Sequence, residues 1–238
     1  MNIMIIGASK GLGRALVEGV GDTGDTIIGV SRQRPHDIQS INGATIGWIE
    51  ADMSQPVQAV NALAAAAPQA IDVLIYNLGI WETQAFSDAY NFLNDSDDSL
   101  QQLVEVNITA TLLALKRLMP NVLRSDKTHV ILTGSTSALR QSGRPEVAFG
   151  ASKFALSGMA DALREGFREQ GLKVSVLQLG YLNTDDALSV PVTEAAARDE
   201  GHTVPVHDVV SVVRMMLALS DASFIRELVL PARYDERF

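Results

Sequence analysis

Cysteine is absent from the 238 residues. No disulfide, thiolate nucleophile or cysteine-ligated metal centre can be built from this chain. The absence fits a reducing compartment. Positive charge is also scarce: 19 Lys and Arg stand against 28 Asp and Glu, a formal net charge of −9. A nucleic-acid binder needs a basic footprint for phosphates, so that class is disfavoured. Long apolar runs are missing as well. The stretch 103–119 is interrupted by Glu105, Asn107, Lys116 and Arg117, too polar and too short for a bilayer. The first residues carry no basic region, apolar run or small-residue cleavage site of a leader. The four histidines, His36, His129, His202 and His207, form no metal-ligand spacing. These features together read as a cytoplasmic protein without membrane, nucleic-acid or metal partners.

What is present is ordinary globular composition, with 47% hydrophobic and 20% charged residues. A chain of this length can bury a large core, so one domain over 1–238 is expected. Short β-branched runs at 3–6, 26–30, 45–50, 73–76, 129–133 and 173–179 read as strands. Helical stretches lie between them, near 11–21, 55–67, 97–123 and 145–170. A helix at 207–217 and a strand at 224–230 close the series. Strict alternation predicts an α/β fold, a doubly wound parallel sheet with helices on both faces. Ser54 is placed to cap the helix that Pro56 opens, and Pro145 with Glu146 suits a first turn. The alanines at 62–67 read as plain helix ended by Pro68.

Between the first strand and the first helix runs Gly7-Ala-Ser-Lys-Gly11-Leu-Gly13. Such a turn lets the backbone approach a pyrophosphate at a helix N-terminus, which makes the sheet Rossmann-type. The second strand ends in Ser31 and Arg32. A site for NAD carries an acid there; a guanidinium suits a 2′-phosphate instead. With Lys10 inside the loop, NADP(H) is expected over NAD(H). Solvated loop charges are the plainer alternative for these cations. Asp52, after the third strand, is placed for an adenine amino group or simply as a helix-opening acid.

These residues resemble the short-chain dehydrogenase/reductase family along nearly the whole chain. The glycine loop matches the family's Gly-x-x-x-Gly-x-Gly. Tyr76-Asn77-Leu78-Gly79 is similar to its Asn-Asn-Ala-Gly, Asn107 to the asparagine of its fourth helix, and Phe149-Gly-Ala-Ser-Lys153 to its Tyr-x-x-x-Lys. The segment from Leu179 through Gly180 and Tyr181 to Thr184 resembles its Pro-Gly-x-Val-x-Thr. The resemblance implies a dinucleotide held by Gly7, Ser9, Lys10, Gly11, Leu12 and Gly13 in the loop. Ser31, Arg32, Asp52 and Met53 would serve the adenosine end. Asn77, Gly79, Lys153, Gly180 and Thr184 would serve the nicotinamide end. It further implies hydride transfer between nicotinamide and a carbonyl or alcohol.

The departures from the family pattern include Ile6, Tyr76, Leu78 and Leu179, and one of a different kind. Phe149 stands where the resemblance implies the tyrosine that gives or takes the proton. Phenylalanine has no ionisable proton, and removing a positioned acid costs about 10²–10⁴ in rate. Lys153 and Asn107 remain to hold cofactor and water. Counting back the family's usual interval reaches Thr136 as the hydroxyl that polarises the substrate, with Ser135 or Ser137 as substitutes. Tyr181, or a water held by Lys153 and Asn107, is the candidate replacement acid. A natural loss of the tyrosine and an introduced replacement read alike.

Residues 181–205 match the place of the family's substrate lid. Trp81 and Phe86, with Phe149 and Tyr181, either wall an apolar substrate pocket or are ordinary core. Ala148, Ser152, Ala155 and Gly158 form a small-residue stripe, and the resemblance implies a homodimer or homotetramer through that helix. An impaired NADP(H)-dependent oxidoreductase is the expected function; a silent NADP(H)-binding sensor, scaffold or subunit is the alternative.

Overall fold

Alternation within the first strand decides the layering. β1 (Asn2–Ile6) turns Ile3 and Ile5 into one apolar cluster and Met4 and Ile6 into the other, and all four are fully buried. A strand apolar on both faces belongs inside a parallel sheet covered on both sides. The computed structural model, which describes residues 1–235, places β1 between two parallel neighbours, β2 (Thr26–Ser31) and β4 (Val73–Tyr76). Beyond β2 lies β3 (Thr45–Glu50); beyond β4 follow β5 (His129–Thr133) and β6 (Lys173–Leu179). A last strand, Glu227–Leu230, pairs with β6 to complete seven parallel strands. Strand order reverses between β1 and β4, so the crevice for a ligand opens beyond their carboxyl ends.

Helices α1 (Gly11–Gly19), α2 (Pro56–Ala66), α3 (Asp97–Val104), α4 (Ala110–Val122) and α5 (Val147–Gly166) follow in chain order. The cluster around Met4 and Ile6 takes in Leu63 of α2, Leu118 of α4 and Leu156 of α5. The opposite cluster packs Leu16 of α1 and Val213 of the helix Val206–Leu217. This is the single doubly wound domain expected; the last residues of the span 1–238, numbers 236–238, lie outside those described. Among the described residues no helix is long and apolar enough to cross a membrane.

Four local expectations are corrected. Alternation is not strict, because residues 32–44 join β2 to β3 without a helix. That loop is held instead by buried Ile38 and by Asn42 Nδ2, which donates to Gly19 O at 3.0 Å. The helix expected over 97–123 is broken by a π-helical turn, Glu105–Thr109. There the Thr111 hydroxyl donates to Asn107 O at 2.7 Å, a side chain entering the backbone ladder. Pro145 and Glu146 stay outside α5, which begins at Val147 and ends at Gly166. Ser54 caps nothing: its hydroxyl donates to Asp52 Oδ1 at 2.8 Å, and Gln55 is the N-cap of α2.

Candidate active site

The glycine loop is built by backbone crowding. Gly7 and Gly11 hold φ of +85° and +51°, a region that favours glycine. A Cβ on Gly13 would lie 1.9 Å from Gly7 O, so only glycine lets the start of α1 close on β1. Gly7 N and Ala8 N both donate to Val30 O, at 2.9 and 3.1 Å. Asn77 Nδ2 reaches Gly7 O at 3.4 Å, which ties the end of β4 to the loop. Thr184 also meets this loop: a Cβ on Gly11 would lie 3.3 Å from the Thr184 Cβ.

Around the second strand the charges sort into paired and open groups. Arg14 is held by Glu18 and by both oxygens of Asp37. Lys10, the N-cap of α1, and Arg32 are exposed and make no ion pair among the described residues. The Ser31 hydroxyl is turned onto Gln33 O at 2.7 Å. Asp52 accepts from Ser54 N and Oγ, which with the Arg32 charge hold its carboxyl below the usual range. Met53 is buried beside it.

At the other end, α5 and the π-turn converge. Lys153 Nζ donates to Thr133 O at 3.0 Å, and a Cβ on Gly79 would lie 3.2 Å from it. Burial lowers this ammonium from 10.5 to about 8. Asn107 pairs with the backbone of Ile80, accepting from N at 2.8 Å and donating to O at 2.7 Å. Its amide also donates to Ser152 Oγ, which donates to Phe149 O. Asn107, Gly79 and Lys153 are therefore brought together.

The hydroxyl turn after β5 is equally buried. Thr136 and Ser137 have almost no exposed surface, and Ser137 Oγ has no hydrogen-bond partner among the described residues. Ser135 is spent on the turn: its Oγ accepts from Ser137 N, and its N donates to Gln178 Oε1. Gly180 approaches Pro231, with only 3.0 Å left for a Cβ.

Trp81, Phe86, Phe149 and Tyr181 form one continuous aromatic group. Phe86 stands edge-on to Phe149 at 5.1 Å and to Tyr181 at 5.6 Å, so it fills the space between them. Trp81 completes the group at 5.9 Å from Phe86 and 6.4 Å from Phe149. The guanidinium of Arg144 covers the Tyr181 ring at 4.2 Å and is paired with Asp235, the two side chains being 3% and 1% exposed. Sequence reasoning missed Arg144 and Asp235, as well as Glu82 and Tyr90. Nothing in their spacing marks them, because their partners come from distant segments.

Residues 181–205 are folded onto the body. They contain β7 (Leu182–Asn183), α6 (Val192–Ala197) and β8 (Val204–Pro205), the last leading directly into α7 (Val206–Leu217). Asp186 is held by Arg198 at 2.5 and 2.6 Å and by Asn183 Nδ2 at 2.7 Å. His207 Nε2 donates to Val190 O at 2.8 Å. Along the small-residue stripe of α5, Ser152 is buried against Asn107, Ala148 and Ala155 are half-buried and Gly158 is exposed.

A sequence model described as short chain dehydrogenase matches residues 1–194. An oxidoreductase of Botryotinia fuckeliana (strain B05.10), BOA17, is 28% identical over 186 residues. That match covers 76% of this chain and 65% of the relative, so the chain spans just under two thirds of its length. Among solved structures, an alcohol dehydrogenase of the archaeon Thermococcus sibiricus, complexed with 5-hydroxy-NADP, superposes with a TM-score of 0.81 at 18% identity. The superposition covers 98% of this chain and 97% of that one. A metagenomic short-chain oxidoreductase in complex with NADP gives 0.72 at 22% identity, with the same coverage of 98% and 97%.

Proposed function

The chain belongs to the short-chain dehydrogenase family, and from that premise we propose that it binds NADP(H) and acts as an impaired oxidoreductase on a small apolar carbonyl or alcohol. The observation that carries the reading is the convergence of Lys153, Asn107 and Gly79 beside Phe149, at the carboxyl ends of the central strands. The residues present fit the dinucleotide. Lys10 and Arg32, which make no ion pair among the described residues, offer two cations for a 2′-phosphate, with Asp52 and Met53 beside them. The loop Gly7–Gly13, with Ser9 and Leu12, would receive the pyrophosphate, and Asn77, Gly79, Gly180 and Thr184 the nicotinamide half. When bound, the cofactor supplies or takes the hydride.

The protein's own groups do the rest. Thr136 would orient the substrate oxygen, while Lys153 and Asn107 hold a water. Phe149 sits at the family's tyrosine position and has no proton to deliver, so delivery falls to that water or to Tyr181. The aromatic group makes the pocket apolar, and 181–205 serves as its lid. Exposed Leu112 of α4 and Phe154 of α5 would meet a second copy in a homodimer or homotetramer; a monomeric mass by light scattering at micromolar concentration contradicts that.

A second reading, a silent NADP(H)-binding relative, draws on Phe86, whose ring occupies the space between Phe149 and Tyr181. Titration with NADPH and NADH, followed by turnover on ketones, aldehydes and quinones, separates the two. Tighter binding of NADPH with slow turnover supports the oxidoreductase. Binding without turnover of any carbonyl supports the silent relative. Failure to bind either nucleotide removes both.

A further inference from the structure

The helix that carries Phe149 and Lys153 does not cap itself. Glu146, at the N-cap of α5, makes no side-chain capping bond. The first amides of a helix nonetheless need acceptors, and they favour a negative group. Here the acceptors arrive from the segment that follows β4. Glu82 Oε1 accepts from Ala148 N at 2.9 Å and from Phe149 N at 3.0 Å. The Tyr90 hydroxyl accepts from Val147 N at 3.1 Å. In return, Glu146 Oε1 accepts from Phe86 N at 2.9 Å. A strap of residues 80–91 and the start of α5 therefore satisfy each other.

Glu146 is 3% exposed and Glu82 0%, and the second oxygen of each has no hydrogen-bond partner among the described residues; Glu82 is the one seated at the helix end. A carboxylate is costly to strip of water unless something nearby stabilises it, and the two amides at the positive end of α5 are what it meets. The same strap bears Trp81 and Phe86, and Phe86 is held at a φ of +65°, a strained value for a side chain of this size. Phe149 lies in the first turn of α5 and Lys153 in the second, so whatever fixes this helix end fixes both.

We propose that Glu82 is a positioning residue: capping α5 from the strap, it ties the placement of Phe149 and Lys153 to the seating of Trp81 and Phe86 in the aromatic group. A compound that displaces Phe86 then acts on the helix end as well as on the pocket. This deepens the oxidoreductase reading by joining the substrate wall to the residues at the nicotinamide end.

The test compares Glu82→Ala, Glu82→Asp and Glu82→Gln with Ser96→Ala, which removes the cap of α3, where Ser96 Oγ accepts from Ser99 N. Amide hydrogen exchange over 147–153 is the main readout. Acrylamide quenching of Trp81, in a Trp48→Phe background that leaves one tryptophan, is the second. Glu82→Ala is expected to speed exchange at 147–153 at least tenfold and to raise quenching of Trp81. Glu82→Gln keeps an acceptor oxygen and recovers most of the protection. Glu82→Asp, one methylene shorter, loses part of it over the same residues and covers the case in which the alanine variant does not fold. Ser96→Ala leaves both readouts unchanged. Wild-type protection over 147–153 in Glu82→Ala or Glu82→Asp overturns the proposal, and so does a loss spread evenly over the molecule. If the wild-type chain fails to bind NADPH, the oxidoreductase reading falls alone, because exchange at 147–153 still decides the role of Glu82.

Discussion

Lys153 Nζ stands 5.5 Å from the centre of the Phe149 ring and donates at 3.0 Å to Thr133 O. Four residues apart on α5, the two side chains share one face of the helix. The ring gives the ammonium an electrostatic contact of the kind worth about 2 kcal/mol when desolvated. It gives no proton and accepts none. The cation is thus kept in place, buried, beside a residue that cannot ionise.

That burial has a pH signature. The Lys153 ammonium is lowered by desolvation from 10.5 to about 8. Below pH 8 the native state carries the full penalty of a buried charge. Between pH 8 and 10.5 the native lysine loses its proton while the unfolded one keeps it, so this group's contribution to stability rises with pH. The span amounts to about 3 kcal/mol. Lys153→Met is expected to raise Tm at pH 7 and to lose its advantage as pH approaches 10.5. A variant less stable than the wild type at pH 7, with no narrowing at higher pH, contradicts this.

His129 works on the acid side. Its Nε2 lies 2.8 Å from Ser175 Oγ, whose own hydrogen goes to Ile225 O, so the ring donates. Burial, then the Lys173 charge, lowers the imidazole from 6.5 to about 4. The unfolded chain therefore takes up a proton first, and stability present above pH 6.5 is lost as pH falls toward 4. The loss approaches about 3 kcal/mol. Urea unfolding of His129→Leu between pH 6.5 and 4.5 should fall less steeply than that of the wild type; equal slopes would remove His129 from the account.

Most of the fold was legible because period and punctuation carry it. Ile3 to Ile6 alternate between two apolar layers, and Gly7, Gly11 and Gly13 mark a turn that favours glycine and at Gly13 admits nothing larger. The helix over 97–123 was misread because the Thr111 hydroxyl and Asn107 alter the ladder without changing its apolar spacing. Ser54 was misassigned because it and Asp52 sit together before Pro56, and the pair prefers its own local turn. A resemblance singled out Lys153 and Asn107, which the structure brings together beside Gly79, whereas nothing singled out Glu82. A remote cap depends on where a loop folds back, and local spacing holds no record of that.

The proposed preference for NADP(H) rests on Arg32. Arg14 is occupied by Asp37 and Glu18, so it is the less available cation. Arg32→Asp is expected to weaken NADPH binding about tenfold to a hundredfold, the loss of about 1.5–3 kcal/mol for a charge-assisted contact. NADH affinity should hold or improve. Titration of both nucleotides checks this, and an unchanged NADPH affinity would place the 2′-phosphate elsewhere.

Tyr181 meets the Phe86 ring, which in turn meets Phe149, and Arg144 covers the Tyr181 ring at 4.2 Å. If the water delivers the proton and Tyr181 only walls the proposed pocket, Tyr181→Phe should keep the residual reductase rate within about twofold, with any effect falling on KM. A loss within the range of about 10²–10⁴ expected for a positioned acid would make its hydroxyl the proton donor.

The central claim is that the chain is an NADP(H) site whose acid is missing at one position. NADPH oxidation on a carbonyl panel, by the wild type and by Phe149→Tyr side by side, tests it most directly. The account predicts that the tyrosine variant gains about 10²–10⁴ in rate, the range of a positioned general acid, with nucleotide affinity little changed. Equal rates in the two proteins, whether fast or nil, would contradict it.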